Sequence, residues 1–307
     1  MTPGHTRLPQ AERRLTLVLG SSTITGECKE PGEKESFVRL LIAIPVHNER
    51  KYVDRVLDKV RRFNDDVLVV DDGSTDGTGE VLAERERRGD IHVIRHSSNF
   101  GYGRSLIDAF DWADGRGYDW VITMDCDEQH EPERIPDFVR EIETDRWDII
   151  SGSRYMKPGK EDDLPPGDRR NVNMMITTII NDLWHLGITD SFCGFKAHRV
   201  SAMRKLKLDV SGYAFPMQLW PEAVYAGLRI TEIPVRLIYN DPNRHFGGAL
   251  DDAGNRMRHY LDVLCAEVSR HDGERAGEVC GKKEGIASEP AAPEAPEPVG
   301  CSCGCTE

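Results

Sequence analysis

The sequence predicts an α/β protein: one domain with a mostly parallel central sheet flanked by helices. Three observations predict it. Short apolar runs alternate with helical stripes between about residues 38 and 240, the rhythm of a sheet with right-handed crossovers. Each of the first four runs ends in a polar cluster. Both chain ends lack this rhythm, which divides the sequence into an extension (1–37), a domain (38–271) and a tail (272–307).

In order, "RLLIAIP" (39–45) reads as a buried strand, and 48–63 carries Tyr52, Val53, Val56, Leu57, Val60 and Phe63 on one helical face. "DVLVV" (66–70) is the second strand and 77–89 the next helix. "IHVIR" (91–95) is a strand, followed by a helix through Leu106, Ile107, Phe110 and Ala113. "YDWVITM" (118–124) is the fourth strand, and Pro132 with acidic neighbours opens a helix to Thr144. Ligands of open parallel sheets bind beyond the carboxyl ends of the strands. The clusters at 45–49, 71–76, 97–103 and 125–130 are therefore expected on one rim.

Asp125, Asp127 and Gln129 alternate along the fourth strand's end, so an extended chain points all three side chains one way. Converging carboxylates repel unless a cation separates them. Mg²⁺ or Mn²⁺ suits such oxygen ligands and leaves positions for a diphosphate; an acidic helix cap is the plainer alternative. In "VVDDGSTDGTGE" (69–80), Asp71 or Asp72 is placed to accept from a base N–H, although the motif also reads as a helix start. "SSNFGYGRSL" (97–106) brings Asn99, Gly103 and Arg104 to a helix N-terminus suited to an anion, or to a plain tight turn.

Composition narrows the classes. Lys and Arg number 40 against 53 Asp and Glu, a formal charge of −13, which argues against a nucleic-acid binder. The tail holds eight acidic and three basic residues, so −5 of the total lies there, and its "EGIASEPAAPEAPEPVG" (284–300) cannot build a core. No apolar run approaches the roughly 20 residues of a membrane span, and "LTLVLG" (15–20) is too short for a signal core. A cytoplasmic protein is expected, with at most weak peripheral contact at the inner face of a membrane. Cys126, Cys193 and Cys265 read as small buried residues, whereas "CSCGC" (301–305) is either an exposed tail or a soft-metal ligand set.

Taken together, "IAIPVHNE", "VVDDGSTDGTGE", "NFGYGRSL", "TMDCDEQHEPERIP", "SGSRY" and "DSFCGFKAHR" closely resemble the family 2 glycosyltransferases of GT-A (Rossmann-like) fold. "MDCDEQH" and "GSRY" look most like the dolichol-phosphate and polyprenyl-phosphate mannosyl- and glucosyltransferase branch. The resemblance implies inverting transfer of a sugar from a GDP- or UDP-linked donor, with polyprenyl phosphate the favoured acceptor and a hydroxyl the alternative. It implies that Asp125, Asp127 and Gln129 bind the divalent metal, with Asp127 central to catalysis. Pro45, His47, Glu49 and Asp72 would line the nucleoside pocket, and Arg154 would reach the phosphates. Arg169 or Arg170, in "PPGDRRNVN" (165–173), would clamp the acceptor phosphate, and Arg244 would close over the diphosphate.

The chain departs from that pattern in places. His47 stands where Tyr is common, 211–223 holds Glu222 but no Glu-Asp pair, and 239–248 only loosely matches the basic loop. The run 171–189 is expected to be either an interfacial helix or an ordinary core helix. Three competing classes fit less well. A haloacid-dehalogenase-type phosphatase needs its D-x-D after the first strand, and a nicotinamide dehydrogenase needs G-x-G-x-x-G there. A sugar-nucleotide sensor would have no use for a complete metal set.

Overall fold

The computed structural model describes residues 16–17, 37–157, 159, 162–163, 167–239 and 248–273. The strands are β1 (Thr16–Leu17), β2 (Phe37–Val38), β3 (Leu40–Val46), β4 (Val67–Asp71), β5 (His92–Arg95), β6 (Trp120–Thr123), β7 (Ile149–Ser153), β8 (Lys196–Arg199) and β9 (Ile230–Pro234). The helices are α1 (Val53–Val60), α2 (Thr78–Arg87), α3 (Tyr102–Gly115), α4 (Ile135–Glu143), α5 (Gly167–Trp184), α6 (Val200–Met203), α7 (Phe215–Tyr225) and α8 (Ala253–His271). Seven strands form one sheet in the order β5-β4-β3-β6-β8-β7-β9. All neighbours pair in parallel except β8, which runs antiparallel to both β6 and β7.

The sheet is covered on both faces, which is why β3 is apolar throughout instead of alternating. Leu40, Ile42 and Ile44 point into one layer with Val56, Leu57 and Val60 of α1 and Phe138 and Ile142 of α4. Leu41 and Ala43 point into the other, against Leu106 and Phe110 of α3 and Phe215 and Leu219 of α7. Each such Val, Leu, Ile or Phe side chain, fully buried, contributes roughly 1.5–3 kcal/mol.

A third cluster joins α5, α7 and α8 around Trp220, whose indole N–H donates to the Ser191 carbonyl at 3.1 Å. Val172, Ile176, Ile180 and Leu183 of α5 belong to it, so the run 171–189 is a core-packing helix as far as Trp184 and irregular beyond it. Met174 and Met175 alone among its large apolar side chains stand open, 60% and 46% exposed.

Sequence and structure differ at some boundaries. The first helix begins at Val53, not Asn48, because 48–52 is a turn stitched to the loop after β4. Asn48 sits at φ +59°, its amide donates to Ser74 Oγ (2.9 Å), and Thr75 N donates to Asn48 Oδ1 (2.8 Å). Cys126 and Cys193 are buried as expected, but Cys265 is only half-buried, at the edge of the third cluster.

Candidate active site

The carboxyl ends of β3, β4, β6, β7 and β9 open into a cavity of about 790 Å³. On the β4–β3 side it is lined by Pro45, His47, Glu49, Asp72 and Asn99. His47 Nδ1 donates to the Asp72 carbonyl at 2.7 Å, which ties the two loops together. Asp72 lines the cavity, and its carboxylate is also engaged by the fold. It accepts from the amides of Phe100 (2.7 Å) and Gly101 (2.8 Å) and contacts His96 Nδ1 at 2.7 Å, and His96 Nε2 in turn meets Asp108. Its carboxylate thus shapes the pocket wall.

Three expectations here are corrected. Asp71 does not line the cavity; it accepts from Ser74 N at 3.1 Å and holds the turn. Arg104 pairs with Asp108 one helical turn on, and its amide donates to the Ser211 carbonyl at 3.0 Å. Gly103 packs against the 210–212 backbone. The start of α3 has spent these groups on the fold, so it offers no anion site through them.

Asp125, Asp127 and Gln129 line the middle of the cavity, beyond β6. The chain there is not extended: it bends at Cys126–Glu128, with Glu128 at φ +59°, yet all three residues still meet one space. Gln129 N donates to Asp127 Oδ1 at 3.0 Å, and the Tyr102 hydroxyl donates to Asp125 Oδ1 at 3.1 Å. Burial, reinforced by Asp125, pushes the Tyr102 pKa well up, so it remains a donor. Burial likewise lowers His130 to about 4. Neutral His130 therefore accepts the Asp125 N–H at 2.9 Å through Nδ1.

This donor set fits a hard divalent cation. The carboxylates of Asp125 and Asp127 supply its oxygens, while Gln129 Nε2, an amide donor buried with no hydrogen-bond partner, is left for an acceptor such as a phosphate oxygen to satisfy. Gly194 supplies the close wall, since a Cβ there would lie 2.6 Å from Asp125 Oδ2.

The β7–β9 side is lined by Arg154, Tyr155, Arg169, Phe192, Tyr213, Tyr239, Arg256 and Tyr260. Arg154 grips Asp190 through Nε (2.6 Å) and Nη2 (2.9 Å), with Asn173 Nδ2 donating to the same carboxylate at 2.7 Å. Burial by itself would raise Asp190, but the Arg154 charge outweighs it and holds the pKa at about 2. Arg154 thus faces the cavity as one half of a fixed ion pair, not as an isolated cation. Arg169 lines the cavity with its guanidinium 5.9 Å from the Tyr239 ring centre. Arg170 is corrected: it is exposed and outside the lining. Arg244 lies outside the described residues.

Sequence reasoning missed Arg256 and the tyrosines. Arg256 is almost fully buried, pairs with Asp168 at 2.6 Å and donates to the Leu250 carbonyl at 2.8 Å. A signal existed in the pattern, because an arginine on the Met257–Tyr260–Leu261 face of a helix has to find a partner. Glu222, the single carboxylate of 211–223, lies outside the cavity lining.

A family model described as Glycosyl transferase family 2 matches residues 41–207. An undecaprenyl-phosphate mannosyltransferase of Micrococcus luteus is 30% identical over 224 residues, 70% of this chain and 91% of that protein. A polyprenol monophosphomannose synthase of Mycolicibacterium smegmatis is 32% identical over 220 residues, 68% of this chain and 81% of that protein. Among solved structures, glucosyl-3-phosphoglycerate synthase of Mycobacterium tuberculosis, in complex with Mn²⁺, UDP and phosphoglyceric acid, superposes with a TM-score of 0.56. It is 17% identical and covers 75% of this chain and 78% of its own, a likeness of fold.

Proposed function

The chain belongs to glycosyl transferase family 2 and has the GT-A fold, and from that premise we propose that it moves a sugar from a GDP- or UDP-linked donor to a polyprenyl phosphate, with inversion. One observation carries the acceptor. On the β7–β9 side the described lining residues include three arginines and no carboxylate; the lining carboxylates Glu49, Asp72, Asp125 and Asp127 all come after β3, β4 or β6. A hydroxyl acceptor needs a general base beside it. A phosphate acceptor is already ionised and needs cations. The two curated relatives carry names with the same class of acceptor.

In this reading Pro45, His47, Glu49 and Asn99 hold the nucleoside, and Asp72 sets the wall behind it. Asp125, Asp127 and Gln129 would hold Mg²⁺ or Mn²⁺, which would supply positive charge for the departing diphosphate. Arg169 and Arg256 draw the acceptor phosphate in, and the tyrosines give the first apolar units of the lipid a surface. One phosphate oxygen attacks the anomeric carbon in line while the bond to the diphosphate oxygen breaks, and its electron pair leaves with the nucleotide. No proton has to move. Because the proposed acceptor is a lipid, we place the chemistry at a membrane surface, with exposed Met174 and Met175 on the same helix as Arg169; among the described residues no helix is long and apolar enough to cross a membrane.

The test offers GDP- and UDP-sugars with Mg²⁺ or Mn²⁺, together with a short polyprenyl phosphate or the matching alcohol. Nucleoside diphosphate should be released with the phosphate alone, and Arg169→Ala should lower kcat/KM about 10–100-fold, the size of a lost charge-assisted contact. Transfer to the alcohol or to a saccharide, with none to the phosphate, would overturn the acceptor. Binding without turnover of any donor would identify a sensor.

A further inference from the structure

At the C-terminal ends of α7 and α8, away from the residues of these helices that line the cavity, three side chains converge that the transfer reaction does not use. Glu267 and His271 are one turn apart on α8 and share a face, and Glu222 approaches them from α7. One ligand atom from each lies within 4.8 Å of the others. The carboxylates are buried, at 4% exposure for Glu222 and 2% for Glu267, while the His271 ring is partly open to solvent.

The outer contacts are already arranged. Glu222 Oε2 accepts the Lys207 N–H at 2.8 Å, and Glu267 Oε1 accepts from Gln218 Nε2 at 2.8 Å. The His271 ring stacks on Tyr225 with centroids 4.4 Å apart. One oxygen of each carboxylate is thus held from behind, which leaves Glu222 Oε1 and Glu267 Oε2 to serve as ligating oxygens beside His271 Nε2. Glu222 Oε1 lies 2.5 Å from His271 Nε2. Glu267 Oε2 is buried with no hydrogen-bond partner; Arg270 Nη1 approaches it to 3.2 Å but not along a hydrogen-bonding line.

We propose that Glu222, Glu267 and His271 form a zinc site that pins the end of α7 to the last turn of α8. Two carboxylates and an imidazole are a borderline N/O set that suits Zn²⁺ over Mg²⁺ or Ca²⁺. Zinc holds such atoms at about 2.0–2.2 Å, so small rotations close the cluster onto one ion. Water completes the coordination from the open side of His271. The donors behind each carboxylate play the orienting part that outer contacts play in metal sites. Because Pro216 of α7 and Arg256 and Tyr260 of α8 line the cavity, an ion at this end stiffens the cavity wall without touching the substrate.

The test uses Zn²⁺ alone on the full chain, with no sugar nucleotide, so it does not depend on the transferase reading. Wild type should retain one more equivalent of zinc after desalting than Glu267→Gln or His271→Ala. Its Tm should rise with Zn²⁺ by about 5 °C or more, with little shift in the variants. Should the variants fold poorly, diethyl pyrocarbonate mapping of wild type decides: His271 should react in chelator and be protected by Zn²⁺, while exposed His92 reacts in both. Equal zinc stoichiometry in all three proteins, or a His271 that zinc does not protect, overturns the site.

Discussion

Asp127 spends one oxygen on the Gln129 amide, so its removal can be made gentle. Asp127→Asn keeps an acceptor for that N–H and deletes only the charge. We expect kcat to fall by about 10²–10³, as when a preorganised electrostatic contact is lost, with Tm unchanged; nucleoside-diphosphate release at saturating Mn²⁺ reads it. Asp190 is the reverse case, a residue outside the chemistry that the fold depends on. Asp190→Ala leaves Arg154, whose side chain is 16% exposed, without its partner there and should cost about 3 kcal/mol, the low end for a broken buried pair, in urea denaturation. His198 gives a pH prediction. Burial lowers its pKa to about 3, so below 6.5 the unfolded chain takes up a proton that the folded chain refuses. Its contribution is therefore lost as pH falls from about 6.5 to 3. His198→Leu should flatten part of the decline between pH 7 and 4.5, by on the order of a few kcal/mol, with His130 keeping the remainder. At this scale the sequence revealed the residues set directly at the end of a strand: His47, Glu49, Asp125, Asp127 and Gln129. It misled at Asp71 and Arg104, because an aspartate that caps a turn and one that faces a pocket are the same letter.

Elements explain those misses. Asp71, Ser74 and Asp76 are drawn into locking the β4 loop to the 48–52 turn, a contact between segments that no local pattern records. Arg256, Tyr239 and Tyr260 come from β9's exit and α8, far along the chain from the motifs, and reach the cavity only because α8 packs on α5 and α7. Close packing between elements is also where glycine substitutions should be felt. A Cβ on Gly103 would sit 2.1 Å from the Val210 carbonyl oxygen. Backbone cannot swing aside, so Gly103→Ala should destabilise by about 1–3 kcal/mol in thermal denaturation. By contrast, the strand and helix succession from β3 to α4 was legible almost throughout, since buried parallel strands and one-sided helices write different periods into the sequence.

For the whole molecule, we place the working unit at residues 38–271, leaving the acidic tail outside it. A chain ending at Gly273 should keep its Tm and its sugar-nucleotide affinity, checked by differential scanning fluorimetry and calorimetric titration; a large loss would show that the tail docks. The sheet order was not legible, because nothing local announces that β8 will insert between β6 and β7 in the opposite direction. That reversed strand has a consequence for the order of assembly. A chain synthesised as far as Arg154 already holds the aspartates after β6 and the arginine after β7, but the sheet between them gapes until Lys196–Arg199 arrives. Such long-range closure is the slow kind. It also brings Gly194 against Asp125 and Asp190 to Arg154, so the cavity takes its shape only after most of the domain has been made.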